Sequence, residues 1–169
     1  MKQLILASTS PRRKEILEKT GLKFKVVASR YEEDMTLPMS ATKLPQYLAE
    51  QKAKDVAKRY PEAVVIGADT IVAFGRKVLG KPKTKRGAKK MLKLISGKVV
   101  KVITGYSIIN YKSGRILTDK SIGNVYFKKY SDKEIDAYIR TGEPMGRAGA
   151  FAVQERGAVL IEKVTGDFM

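Results

Sequence analysis

Residues 63–74 read AVVIGADTIVAF, and this stretch decides how the chain folds. The continuous apolar run over 63–67 is typical of a strand buried on both faces, as in a parallel sheet. The segment stays extended through 71–74 and reaches a turn at Gly75. Asp69 directly follows the buried run, and α/β proteins usually place their sites at the carboxyl end of such a strand. Asp69 is therefore a candidate metal ligand or base, although a simple turn aspartate has the same local sequence.

The segments on both sides of this strand alternate between strand and helix patterns. Runs rich in apolar and β-branched residues predict strands over 4–7, 24–28, 99–110, 115–130 and 158–164, and a Lys-Ser-Gly turn joins the third and fourth of these. Apolar residues at helical spacing predict helices over 42–60 and 86–95. Hairpin-like and crossover connections both occur, so the pattern predicts an α/β protein with a mixed sheet. No repeat or linker interrupts the chain, and residues 1–169 are interpreted as a single domain.

Two further helices begin at capping signals. Ser10 precedes a proline and is expected to cap the first helix, with Ile16 and Leu17 facing inward. Ser131 and Glu134 have the spacing of a capping box and are expected to open the last helix. A glycine shortly after the last apolar residue is expected to end each of these helices.

The composition narrows the chemistry open to the protein. Hydrophobic residues make up 43% of the 169 residues, which is enough for a packed core. There is no cysteine and no histidine, so a thiol nucleophile, a disulfide and a Ser-His-Asp triad are excluded. Hydrolytic chemistry must then depend on carboxylates, lysines, arginines, hydroxyls and water. Because neither an apolar run of membrane-spanning length nor a signal peptide is recognised, we expect a cytoplasmic protein without a membrane partner.

The charge is strongly basic, with 34 lysines and arginines against 17 acidic residues and a formal net charge of +17. No acidic residue falls between Asp69 and Asp119, whereas lysines and arginines recur throughout that stretch. A solubilising surface explains this excess, and so does attraction for polyanions, either nucleotides or nucleic acid. Aromatic residues make up only 8%, and no recognition-helix motif occurs. We therefore expect nucleic-acid binding through the basic surface to be secondary.

Two segments carry groups that a metal-bound phosphate chain needs. Residues 8–13 read STSPRR between a strand and a helix start, where amides, hydroxyls and two guanidiniums can converge on an anion. Residues 32–34 read EED just beyond the second predicted strand, and carboxylates there can hold Mg²⁺ or Mn²⁺. A plain helix cap explains the first segment equally well, and a solvated loop explains the second.

Three further positions are candidates for binding a nucleotide. Lys52 on the helix over 42–60 and Lys81 within 80–82 (GKP) can meet phosphate as point charges, although a surface role is the default for any one of 34 cations. Residues 148–154 read AGAFAVQ, where small residues allow close backbone approach. The amide of Gln154 can donate to and accept from the edge of a base. A tight structural turn is the alternative for this last segment.

Taken together, these motifs resemble the Maf family in order and spacing. The resemblance runs from residue 4 to about residue 167 and is carried by 4–17 (LILASTSPRRKEIL), Glu33, 51–53 (QKA), 67–70 (GADT), 80–82 (GKP), 96–97 (SG) with 102–105 (VITG), and 148–151 (AGAF) with Gln154. Departures from the family pattern are Val100 where histidine is frequent, Gly146 where aspartate is common and Arg147 where lysine is usual. The family pattern also continues past the Gly-Asp-Phe segment near the end of this sequence.

The resemblance implies a fold and an activity. The expected fold is an elongated mixed sheet with flanking helices in two lobes, similar to the inosine triphosphate pyrophosphatases, with the active cleft between the lobes. The expected reaction is metal-dependent hydrolysis of a nucleoside triphosphate to the monophosphate and pyrophosphate, a house-cleaning activity. The divalent cation would be Mg²⁺, Mn²⁺ or Co²⁺. The resemblance leaves the oligomeric state open, with a homodimer as one option.

The resemblance also assigns roles to individual residues. Asp69 and Glu33 would bind the metal, and Asp69 would also activate the attacking water. The triphosphate would be held by Ser8, Arg12, Arg13, Lys52 and Lys81, of which the two lysines also count as catalytic. Thr70 and Gln154, with Arg12 or Arg13, match the subgroup that uses dTTP and UTP and not the one that favours 7-methyl-GTP. The alternatives are a pyrophosphatase for purine or modified-purine triphosphates and a non-catalytic nucleic-acid-binding module.

Overall fold

The computed structural model describes residues 2–167, so Met1, Phe168 and Met169 lie outside the described residues. Within that range the elements in chain order are β1 Leu4–Leu6, α1 Pro11–Glu18, β2 Phe24–Val26, α2 Lys43–Arg59, β3 Val64–Phe74, β4 Lys77–Leu79, α3 Lys85–Ile95, β5 Val99–Asn110, β6 Arg115–Phe127, α4 Asp132–Arg140 and β7 Ile161–Gly166. Two short 3₁₀ turns, Ala148–Ala150 and Arg156–Leu160, lie between α4 and β7. No helix in this range is both long and apolar enough to cross a bilayer.

The seven strands form one mixed sheet in the order β2-β1-β3-β5-β6-β7, with β4 paired to β3 outside this path. β1 runs parallel to both β2 and β3, and its last residue, Leu6, lies opposite Ile66 of β3. β4 pairs with β3, and β7 with β6, in antiparallel fashion. The predicted α/β class with a mixed sheet and flanking helices is therefore confirmed.

The chain divides into two compact units, each built from two separate segments of sequence. The first unit contains the chain up to Thr70 together with Thr104–Lys120, and the second contains Ile71–Ile103 together with the chain from Ser121 onward. The first has a core in which α2 covers β1 and β3, formed by Ile5, Ala7, Ala53, Val56, Ala57, Ala63, Val65 and Ile109.

The core of the second unit lies under α3 and α4. Ala88, Leu92 and Ile95 recur at helical spacing on α3, and all three are buried. The ring of Phe127 meets that of Phe151 edge to face, with centroids 4.9 Å apart. Burying aromatic and aliphatic side chains of this size contributes about 1.5–3 kcal/mol each to stability, so both helices are held by their apolar faces.

The predicted capping box that opens α4 is confirmed. The Ser131 hydroxyl accepts from the Glu134 amide, and the Glu134 carboxylate accepts from the Ser131 amide at 2.7 Å. The first helix also begins as predicted, with Ser10 at the N-cap position and Pro11 following, but the Ser10 side chain makes no cap bond. The Ser10 amide instead donates to the hydroxyl of Ser8, at 3.3 Å.

Other local predictions also differ from the structure. Ile16 is 47% exposed, and α1 contains no buried residue, so its apolar pair does not face inward as expected. The last strand begins at Ile161 instead of at 158, because Arg156–Leu160 closes into a 3₁₀ turn. The three-residue strand β4 carries too short a pattern to be predicted.

Candidate active site

Ser8 and Asp69 lie just beyond the stretch over which β1 and β3 pair in parallel. β1 ends at Leu6, and the amide of the next residue donates to the carbonyl of Ile66 in β3 at 2.7 Å. Beyond Ile66, β3 continues without β1 beside it, since β4 and β5 keep it extended to Phe74. Asp69 thus lies inside a long strand and not at its end, which corrects the prediction. It still lies just past the end of β1, where a site in an α/β sheet is expected.

Helix α2 approaches this sheet closely because glycines lie at the contact. A Cβ atom on Gly67 would collide with the carbonyl oxygen of Ala49, and one on Gly105 would collide with the backbone of Pro45. Neither collision could be relieved by rotating a side chain, because the opposing atoms are backbone. The close approach allows Lys52 of α2 to reach the carboxylate that β3 presents.

Three charged side chains form what we call the acid–lysine cluster: Glu33, Lys52 and Asp69. The Lys52 ammonium lies 2.6 Å from Asp69 Oδ1 and 2.6 Å from Glu33 Oε1. Lys52 is 8% exposed and Asp69 is 6% exposed. A buried ammonium or carboxylate is costly unless it is paired, so the ion pair between Lys52 and Asp69 compensates the burial of both side chains. Glu33 is therefore the residue of the predicted 32–34 acidic segment that joins the site.

Beside this cluster, Arg13 of α1 connects two hydroxyl groups. Its Nη1 donates to Ser8 Oγ at 3.2 Å, and its Nη2 donates to Thr70 Oγ1 at 3.4 Å. Thr70 in turn exchanges a hydrogen bond of 3.0 Å with Thr104 of β5. The predicted positions Ser8, Arg13 and Thr70 thus form one network, which Thr104 extends.

The guanidinium of Arg13 lies in a mixed electrostatic environment. Burial lowers the pKa of Arg13 from its ordinary value, the charges of Asp69 and Glu33 oppose this, and the charge of Arg12 adds to the lowering. An arginine starts from a pKa high enough to stay protonated in proteins, so Arg13 remains a cation. A partly desolvated cation that already faces carboxylates is well placed to meet an anionic ligand.

The segment leading to Glu33 is fixed by Asp55 of α2. One oxygen, Asp55 Oδ2, accepts from the Arg30 amide at 2.8 Å, the Ser29 hydroxyl at 3.2 Å and the Arg59 guanidinium at 2.9 Å. Burial raises the pKa of Asp55, but these hydrogen bonds and the Arg59 charge outweigh burial and hold it below its ordinary value. The segment is therefore anchored three residues before Glu33.

The second unit carries two more predicted residues, Lys81 and Gln154. Lys81 is exposed in the loop between β4 and α3, and Gln154 is exposed between the two 3₁₀ turns. The amide of Gly149 donates to the carbonyl of Gly80 at 3.0 Å, so one backbone bond ties the two segments together. An open polar depression nearby, bordered by Arg147 and Arg156, is lined by none of the predicted site residues.

Arg12 differs from Arg13, its neighbour on α1 in the first unit. Its side chain is exposed and makes no hydrogen bond with any residue in the range 2–167. Of the two arginines, only Arg13 is joined to the network around Ser8 and Thr70.

The carboxylates of the cluster can hold a divalent cation only if other oxygen atoms, such as those of a bound phosphate, fill the remaining coordination positions. Within residues 2–167 no group of three or more acidic, histidine or cysteine side chains converges on one point. Glu33 and Asp69 do converge, each through one oxygen on the same nitrogen of Lys52. Mg²⁺ is commonly held by one or two carboxylates, with phosphate oxygens and waters in its other positions. The residues present fit such an ion.

Sequence reasoning missed two residues that support the site. Asp55 has only a local signal, an arginine four residues later that gives a helical ion pair at 2.9 Å. Thr104 lies within the VITG motif, but nothing in that motif indicates that its hydroxyl meets Thr70. Both contacts join segments more than twenty residues apart, which a local pattern does not reveal.

A solved structure places the fold among known proteins. The Ham1 protein of Staphylococcus aureus superposes with a TM-score of 0.54 at 14% sequence identity, over 77% of this chain and 75% of that one. At this identity the likeness shows the fold alone. The protein is an α/β protein with the fold type of the inosine triphosphate pyrophosphatases, as expected.

Sequence comparison then identifies the family. The model described as Maf-like protein matches residues 3–169. A protein of Alkaliphilus oremlandii (strain OhILAs) named dTTP/UTP pyrophosphatase is 46% identical over 99% of this chain and 88% of its own length. Proteins of the same name from Methanosarcina barkeri and Bacillus pumilus are 47% and 45% identical, over 99% of this chain and 86% and 88% of theirs. The chain belongs to the Maf-like protein family, and the resemblance of its motifs is confirmed.

Proposed function

We propose that this protein hydrolyses nucleoside triphosphates, with dTTP and UTP preferred, to the monophosphate and pyrophosphate. The observation that carries the proposal is the acid–lysine cluster beside Ser8 and Arg13, just past the carboxyl end of β1. This arrangement combines a carboxylate that can take a proton with cations that can bind phosphate. The names of relatives 45–47% identical to this chain support the same activity.

We assign phosphate binding to the hydroxyl of Ser8 and to the predicted lysines and arginines. Ser8 and Arg13 already share a hydrogen bond, so their donors are oriented before substrate arrives. Arg12 and Lys81 are exposed side chains that contribute positive charge as the substrate approaches. Lys52 lies between the two carboxylates, where its ammonium stabilises charge that develops on the phosphates.

Glu33 and Asp69 are the proposed ligands of a divalent cation, Mg²⁺, Mn²⁺ or Co²⁺. Each carboxylate has two oxygens, so it can bind a cation and Lys52 together. When bound, the cation supplies a Lewis acid that lowers the pKa of water and screens the phosphate charge. Asp69 accepts a proton from the water whose oxygen attacks the α-phosphorus. The bond from that phosphorus to the α–β bridging oxygen breaks, and this oxygen leaves with pyrophosphate.

Base recognition is assigned to Gln154 and Thr70. Uracil and thymine present a carbonyl, an N–H and a second carbonyl along one edge, which a side-chain amide can meet by donating and accepting at once. Cytosine replaces one carbonyl with an amine and lacks that N–H, so the same amide would leave a polar group unpaired. Such a mismatch costs about 1–3 kcal/mol, so we expect UTP to exceed CTP in kcat/KM by about tenfold or more.

The test is product analysis with a panel of nucleotides in Mg²⁺, Mn²⁺, Co²⁺ or a chelator. The proposal expects monophosphate and pyrophosphate from UTP and dTTP, with loss of turnover in the chelator. Release of diphosphate and inorganic phosphate, or equal use of GTP and UTP, would contradict it. Faster use of inosine or 7-methylguanosine triphosphate would favour the purine alternative. Salt-sensitive RNA binding without turnover would favour the nucleic-acid module. A cytoplasmic location and a homodimer stay predictions.

A further inference from the structure

A partly buried acid, Glu143, holds the segment that carries Gln154. Glu143, just after α4, accepts three hydrogen bonds within the second unit. Its Oε1 accepts from the Tyr138 hydroxyl at 2.7 Å and from the Gly157 amide at 2.8 Å, and its Oε2 accepts from the Arg156 amide at 3.0 Å. All three partners are donors, and the two oxygens of the Glu143 side chain accept from all of them.

Tyr138 extends this contact to the other end of the same segment. Its hydroxyl accepts from the Ala152 amide at 3.2 Å while donating to Glu143. Gly157 packs so closely that a Cβ there would lie 2.6 Å from the Tyr138 hydroxyl oxygen. Burial and the neighbouring Glu143 both raise the pKa of Tyr138, so the hydroxyl remains a donor throughout the ordinary pH range. We call Glu143 and Tyr138, with the three amides they bind, the loop clamp.

Gln154 lies between the clamped positions. The clamp fixes the backbone at residues 152, 156 and 157, whereas the Gln154 side chain is exposed and makes no hydrogen bond with the described residues. An unpaired amide on a fixed backbone keeps both its donor and its acceptor for a ligand. On a mobile loop the same amide would lose conformational entropy on binding, which would reduce its discrimination between bases.

We propose that Glu143 is a positioning residue for substrate specificity, which acts by holding the 152–157 segment so that Gln154 reads the base. This inference rests on the proposed function for its reading of UTP against CTP. The loop clamp itself is independent of that function. Each oxygen of Glu143 accepts from one backbone amide, that of Arg156 or that of Gly157. In Glu143→Gln one of these oxygens becomes an NH₂ group, which cannot accept, so one of the two backbone hydrogen bonds is lost. One end of the segment would then be released.

The matched control is Glu134→Gln. Glu134 is also a glutamate that accepts from a backbone amide at an end of α4, at 2.7 Å, but it is exposed and has no bond to the 152–157 segment. We expect Glu143→Gln to lower the UTP-to-CTP ratio of kcat/KM about threefold to tenfold, through a higher KM for UTP at nearly unchanged kcat. Glu134→Gln should leave the ratio unchanged. Tyr138→Phe should change it in the same direction but less, and it replaces Glu143→Gln if that variant does not fold.

A second measurement requires no turnover. Amide hydrogen exchange in a peptide spanning 152–157 should be faster by about tenfold or more in Glu143→Gln than in wild type or Glu134→Gln. Unchanged exchange would overturn the inference. If Gln154→Ala lowers the UTP-to-CTP ratio but Glu143→Gln leaves it unchanged despite faster exchange, the inference is overturned as well. If the wild type releases no pyrophosphate from any nucleotide, the proposed function fails, and the specificity role of Glu143 fails with it. The exchange measurement still decides whether the loop clamp holds the 152–157 segment.

Discussion

The acid–lysine cluster of the first unit and the loop clamp of the second present functional side chains in opposite ways. In the cluster, the Lys52 ammonium forms ion pairs with both carboxylates, at 2.6 Å in each pair. In the loop clamp, structural groups fix a backbone and leave Gln154 without a partner. The comparison indicates that the proposed reacting groups are pre-arranged by charge, whereas the residue proposed to read the base is kept unpaired by a rigid support.

The largest expected effect comes from removing the charge of Asp69. Asp69→Asn keeps the shape of the side chain but cannot take a proton and binds metal poorly, so kcat should fall by about 10²–10⁴ with nucleotide binding largely retained. The measurement is steady-state pyrophosphate release together with a nucleotide titration. The control is Asp136→Asn, which removes the carboxylate that lies 2.6 Å from the Lys89 ammonium in another ion pair and should leave kcat unchanged. An Asp69→Asn variant within tenfold of wild type would show that Asp69 is not the base.

The close approach of α2 to the sheet gives the next largest effect. Gly67→Ala sets a methyl group against the carbonyl of Ala49, so the helix that carries Lys52 must shift. We expect the free energy of unfolding to fall by about 1–3 kcal/mol because of the collision. We expect kcat to fall as well, because Lys52 is displaced away from Asp69. Gly80→Ala is the control, since a Cβ there meets no atom within 4 Å. Equal denaturation midpoints for the two variants would contradict the helix placement.

A smaller effect separates the anchored cation from an exposed one. Arg13→Ala removes a guanidinium joined to Ser8 and Thr70, and Lys81→Ala removes an exposed ammonium. Both substitutions should lower kcat/KM, by about tenfold to a hundredfold for Arg13→Ala and by less for Lys81→Ala. At high salt the difference between Lys81→Ala and wild type should disappear, because salt screens an exposed charge. Lys58→Ala, on the exposed part of α2, serves as the control. Unchanged kcat/KM in both variants would return these residues to a surface role.

Asp55 should have the smallest effect, and it should depend on pH. A carboxyl group whose folded pKa is lowered adds stability above its unfolded pKa, and this stability is lost as the pH falls through the folded value. Asp55→Asn should therefore cost about 1 kcal/mol of unfolding free energy at pH 7, and less as the pH falls below about 4. Urea denaturation at both pH values measures the difference, with the exposed Glu32→Gln as control. A cost that grows as the pH falls would contradict the account of Asp55.

The sequence predicted the fold class and the members of the cluster, but not how they are held. Asp69 was recognised because a polar residue after a buried apolar run is conspicuous, and the capping box of α4 because its signal is local. The contacts of Asp55, Thr104 and Glu143 depend on which segments the fold brings together, and no local pattern carries that information. Ile16 was placed wrongly because its apolar character is visible in sequence, whereas the absence of a neighbouring surface is not.

The central claim is that water attacks the α-phosphorus, with Asp69 as the base. Hydrolysis of UTP in ¹⁸O-labelled water, followed by ³¹P NMR, tests it most directly, because the label marks the phosphorus that was attacked. The account predicts one ¹⁸O atom in the phosphate of UMP, none in pyrophosphate, and no labelled product with Asp69→Asn on the same time scale. Label in pyrophosphate, or in inorganic phosphate released with UDP, would contradict it.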